Sequence, residues 1–156
     1  MDISTFYAVT SATCFALVGL WWSVVKGKQE EWLKDEATRR LAGGVYASFL
    51  IPGVMSLAAQ IGVESSLIWR AVFVFASWAG FSYSSKLIQL TREANPNGAF
   101  SKNSWAVPAL YVLILFFAIF AGLPSLVGLQ PLQLEGLLVS GLILCAHGLA
   151  WEFMTH

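Results

Sequence analysis

Few side chains in this sequence are able to do chemistry, and most of them stand inside long apolar runs. His147, in "LCAHGLAWEF", lies near the end of the last such run. Imidazole ordinarily titrates near physiological pH, so a ring held inside a bilayer suits a proton relay or a pH gate. At helical spacing Ser140, Leu144, His147 and Trp151 share one stripe, which sets a hydroxyl and an indole in line with it. The plainer alternative is a neutral ring hydrogen-bonded between helices. Arg70, Glu135 and Glu64 form a second set near the opposite ends of their runs, and Arg70 and Glu135 stand at matching depth. Charges in a membrane usually pair, which predicts an ion pair stapling two helices; the alternative is a charged vestibule at a pore mouth. Lys86 and Glu152 suggest a similar pair at the other edge.

Cys14 and Cys145 fall near the middle of the first and last runs, with no Cys-x-x-Cys and no helper histidine or cysteine cluster. They read as small packing residues, so no metal site is expected. A phosphate loop, a nucleophile elbow and a paired acidic motif are all missing from the sequence, so no catalytic residue and no cofactor is expected either.

The elements that must position these residues follow from composition. The chain is 57% hydrophobic and 12% charged, with a mean hydropathy of +0.68, whereas soluble domains carry about 25% charged residues. Five charge-poor runs, at about 5–25, 41–61, 67–88, 104–127 and 134–154, are each long enough to cross a hydrocarbon core of about 30 Å as a helix. Runs such as "YVLILFFAIFAGL" do not alternate as barrel strands do. The first run reads as a retained helix: Asp2 is the only charge before it, and its apolar core continues to Val25, unlike a signal peptide. The expectation is one all-α membrane domain over 1–156, a bundle of five transmembrane helices in a cell membrane, bacterial inner or plasma.

Orientation follows from the basic residues. One side of this topology holds Lys26, Lys28, Lys34, Arg39, Arg40, Lys86, Arg92 and Lys102, and the other only Arg70. By the positive-inside rule the amino terminus lies outside and the carboxy terminus inside. Trp21, Trp22, Trp105 and Trp151 gather at the predicted inner ends, with Tyr7 and Trp69 near the outer ends.

Half of the formal charge sits in "KGKQEEWLKDEATRR" at 26–40. Glu30 with Lys34, Asp35 with Arg39 and Glu36 with Arg40 stand four apart, acid first. This order favours helix, and predicts that the second helix extends into the cytoplasm over about 29–40. Trp32 and Leu33 would be its docking contact for a partner, or Trp32 would rest on the lipid headgroups instead. The net charge of the segment is +1, so no strong selectivity for anionic lipid or nucleic acid is expected.

Small residues at four-residue spacing, Gly43 with Ala47, Gly44 with Ser48, Ala76 with Gly80 and Gly141 with Cys145, permit close helix approach and suit self-association as well as internal packing. Pro52 should bend the second helix, and Pro108 and Pro124 should disturb the ends of the fourth. The stripe Gly44, Ser48, Pro52, Met55 and Ser56 is the candidate pore lining. The sequence therefore favours a homo-oligomeric channel or carrier for ions or small solutes, embedded in the lipid bilayer. The alternative is a non-catalytic scaffold or accessory subunit that docks a membrane or cytoplasmic protein through 26–40. An intramembrane enzyme is a third, weaker reading.

Overall fold

A computed structural model describes residues 2–32, 34–62, 65–94 and 97–155. The described elements are helical: α1 (Ile3–Gly27), α2 (Gln29–Trp32), α3 (Glu36–Ile61), α4 (Ser66–Ala94), α5 (Ala99–Asn103), α6 (Ala106–Ile119), a 3₁₀ turn at Leu123–Val127, and α7 (Pro131–Thr155). Four stretches are long and apolar enough to cross a membrane: α1, α3, Phe100–Ile119 and α7.

The principal contacts run α3 to α4, α4 to α6, α6 to α7 and α7 back to α3, a closed ring of four helices, with α1 laid against α3 and touching α7 only lightly. Half of the apolar window of α3 is buried, against about a quarter in each of the other three candidate spans, which makes α3 the central helix. Small residues set the spacing. A Cβ on Gly44 would run into Leu87 of α4, and one on Gly80 into the ring of Tyr111 of α6. A Cβ on Gly53 would lie 3.0 Å from that of Cys14 on α1. The close approaches expected to serve self-association are thus used inside the chain.

Two prolines trim the fourth predicted span, 104–127, to a 14-residue helix. Pro108 has no N–H for the Ser104 carbonyl, which accepts from Val107 instead at 3.3 Å, and the chain passes from α5 into α6 through a tight turn. Pro124 likewise cannot bond the Phe120 carbonyl, which accepts from Leu123 at 3.0 Å. α6 therefore ends at Ile119 and the chain continues as the 3₁₀ turn. Gly128, at φ 76°, then supplies the left-handed residue that turns the chain toward α7.

The charged segment is not one helix. α2 stops at Trp32, and α3 starts afresh at Glu36 with Asp35 as its N-cap. The Asp35 carboxylate accepts from the backbone N–H of Thr38 at 2.8 Å and from its hydroxyl, and these bonds hold its pKa below the ordinary carboxylate value. A cap stabilises by about 1 kcal/mol and an i, i+4 pair by about 0.2–0.5 kcal/mol, so Asp35 caps rather than pairs with Arg39. Glu30 and Lys34 fall on either side of the break, and of the three expected pairs only Glu36 with Arg40 forms among the described residues. Trp32 turns inward, stacking on Trp21 at 6.0 Å and meeting Phe153 edge-on at 4.9 Å.

Gly80→Ala is expected to cost about 1–3 kcal/mol by overpacking against Tyr111. Gly19→Ala, which meets nothing within 4 Å, should be neutral or stabilising by up to about 1 kcal/mol. Unfolding curves of the two variants in detergent separate close packing from the mere loss of a glycine.

Candidate functional site

The bundle has large apolar side chains on its surface and several polar groups buried in an apolar core. Large side chains such as Leu67, Phe75, Trp78, Leu126 and Leu144 stand exposed, while Ser11, Ser56, Ser77, Ser84, Thr91, Glu135 and Glu152 are buried. In water this arrangement would leave a large apolar surface uncovered; a lipid environment removes that cost.

One stripe on α7 organises the interior. Glu135, Val139, Leu142, Ala146, Leu149 and Glu152 are its buried face, spaced by threes and fours, with a carboxylate first and last. The two acids are about 25 Å apart along the helix, at 1.5 Å per residue. They have different surroundings. At one end of the bundle an Oε of Glu152 accepts from the Phe100 N–H of α5 at 2.7 Å, leaving the other oxygen unpartnered. At the other end Glu135 has 0% of its surface exposed, and neither of its oxygens has a hydrogen-bond partner among the described residues. Ser56 and Ser77 are equally buried, and their hydroxyls also lack partners. Each such group costs roughly 1–3 kcal/mol, and a charge costs more.

Tyr7 is fully buried close to Glu135, and its hydroxyl donates to the Leu132 carbonyl on the first turn of α7 at 2.7 Å. An open cleft of about 330 Å³, lined by Ile3, Phe6, Gln133, Gly136 and Leu137, reaches the residue next to Glu135. The ring of Phe6 fills the space where a side chain on Gly136 would stand. Toward the other end a cavity of about 30 Å³ lies among Ser48, Tyr83, Ser84, Tyr111 and Cys145, large enough for about two waters.

The expected ion pair of Arg70 with Glu135 does not form. The Arg70 guanidinium donates to the carbonyls of Ala118 and Ile119, at 2.8 and 2.7 Å. These carbonyls lie at the end of α6, where no following helical turn supplies N–H donors, and a cation there also complements the helix dipole. Depth matched, but the backbone acceptors claimed the guanidinium. Glu152 is likewise taken by a backbone N–H rather than by Lys86. Glu64 and Leu33 lie outside the described residues.

The histidine stripe faces outward. Leu144 and Trp151 are each 73% exposed, and Ser140 bonds back to the Gly136 carbonyl. The His147 ring meets Phe49 edge-on and is hydrogen-bonded to the Ile143 carbonyl of its own helix. The second-helix stripe faces inward: Gly44, Pro52, Met55 and Ser56 are buried, and Gly44 and Ser48 border the small cavity. Cys14 and Cys145 are free and have separate surroundings, Cys14 against Gly53 and Cys145 beside the cavity.

Tyr7 was read from sequence only as an interface aromatic. Its place opposite α7 follows from tertiary packing and has no local signal. The capping role of Arg70 did have one, in Pro124, which fixes where α6 must stop. Comparison of the chain with protein-family models, curated proteins and solved structures gave no match.

Arg70→Met should cost about 1–3 kcal/mol by orphaning the two carbonyls, and Glu135→Leu should be neutral or stabilising. In equilibrium unfolding the double variant should be additive within about 0.5 kcal/mol. A coupling well above that would mean the two charges meet.

Proposed function

We propose that the chain is an integral membrane carrier of protons or small cations, with Glu135 as its binding group. The observation that carries this reading is the Glu135 carboxylate, wholly buried with both oxygens unpartnered. An ionised carboxylate is too costly to leave in an apolar interior, so it must be neutralised. The one basic side chain near that end, Arg70, is committed to α6. The neutralising charge must then come from solution, as a proton or a cation, and its uptake and release is the function.

In this reading α4 is a fifth span. Its stretch between Arg70 and Lys86 has no charge, and it presents Phe75 and Trp78, 72% and 65% exposed, outward as a lipid-facing helix would. The eight basic residues at the α2 end place that end in the cytoplasm and the amino terminus outside. With the glycine contacts spent inside the chain, one copy is enough for the proposed carrier. Docking through 26–40 has less support, because Trp32 is packed within the chain.

Purified protein in liposomes, with a pH-sensitive dye inside and an imposed potential, should show proton or cation flux. Glu135→Gln should reduce the rate at least tenfold while remaining folded, since it removes an unpaired acid, and His147→Ala should retain the parent rate. A parent without flux under any ion gradient, or a Glu135→Gln protein at the parent rate, would reject the proposal.

A further inference from the structure

A second site stands at the opposite end of the bundle, where the end of α1 meets the start of α3. A cleft of about 240 Å³ is lined by Trp21, Trp22, Val25, Trp32, Arg39 and Tyr46, with Ala42 and Gly43 as its floor. Among these residues none is acidic. The indole N–H of Trp21 is spent on the Ala42 carbonyl at 3.0 Å. Those of Trp22 and Trp32, the Tyr46 hydroxyl and the Arg39 guanidinium have no acceptor among the described residues. Of the four acids in 26–40, two are committed elsewhere by the structure. Glu36 takes Arg40, and Asp35 is held by Thr38. Arg39 has no carboxylate partner among the described residues and lines the aromatic cleft.

The cleft thus offers a positive charge and only donors at one edge, and flat apolar walls below. The complementary molecule has an anionic, acceptor-rich head and an apolar tail. Guanidinium recognises phosphate by paired N–H donors, tryptophan and tyrosine favour the headgroup level, and basic clefts beside membrane helices hold anionic headgroups. We infer that the cleft between α1 and α3 binds an anionic phospholipid of the inner leaflet, with its phosphate at Arg39 and an acyl chain along Trp21, Trp22 and Val25. This inference rests on the membrane reading and is independent of ion carriage at Glu135.

The full-length chain, reconstituted in phosphatidylcholine vesicles containing either brominated phosphatidylglycerol or brominated phosphatidylcholine, tests it through quenching of tryptophan fluorescence. The parent should be quenched more by the anionic lipid. Arg39→Gln should lower that preference about fivefold, the effect of one basic group near the surface. Trp22→Phe should remove a large part of the excess signal. Arg92→Gln, which removes one charge from the same end but outside the cleft, should leave the preference unchanged. Circular dichroism confirms that each variant keeps its helices. Equal quenching by the two lipids in the parent, or an unchanged preference in Arg39→Gln, would overturn the site. No quenching by either lipid would overturn the membrane reading and this inference with it.

Discussion

The rest of the structure depends on the two ends of one short helix. α6 has 14 residues, about 21 Å at 1.5 Å per residue, and only together with the preceding α5 segment, as Phe100–Ile119, matches a hydrocarbon layer about 30 Å thick. Backbone groups within such a layer must be satisfied by protein. The two neighbours of α6 in the ring each supply one charged side chain. Arg70 of α4 takes the carbonyls at its carboxy end, and Glu152 of α7 takes an N–H of the α5 segment that leads into it. The Arg70 cation agrees with the dipole at the carboxy end of α6. Two prolines shorten the helix, and two charges make the shortening tolerable. The ring closes through the helices that carry those charges.

This accounts for two of the interior charges and isolates the third. Glu152 and Glu135 terminate the same buried stripe of α7, but only Glu152 has an orphaned backbone group beside it. A buried acid with a partner stabilises a fold. One without a partner costs free energy instead. The distinction depends on hydrogen-bond partners rather than on depth or residue type, and for that reason Glu135 and Arg70 part company despite their matching depth.

Much of the architecture was legible in the chain. Run length and charge poverty gave the apolar helices, and the prolines marked where the fourth would be cut. The pairings were less legible, because sequence gives position along a helix but neither its neighbours nor the competition for each polar group. Asp35 shows the competition in miniature: the spacing to Arg39 and the spacing to Thr38 are both present, and the stronger interaction took the carboxylate. The stripe through His147 was a true helical face, but it looks away from the ring. The stripe through Ser56 looks inward, where it forms core rather than an axis between subunits. Periodicity identifies a face without saying whether protein or lipid covers it.

α1 stands apart from these constraints. It is outside the ring, held to α3 by the Ser11 bond to the Gly53 carbonyl and by Trp21 on Ala42, and to α7 by Tyr7 on Leu132. Near Glu135 its contribution is Phe6 and Tyr7, one ring filling the space over Gly136 and the other buried beside the carboxylate. Phe6 also lines the outer cleft. This end of α1 joins the ring through the Tyr7 hydrogen bond to Leu132 and through the burial of Tyr7 in the core shared by α3, α4, α6 and α7. The other end of α1 is pinned by Trp21 on Ala42 and by the stacked Trp32.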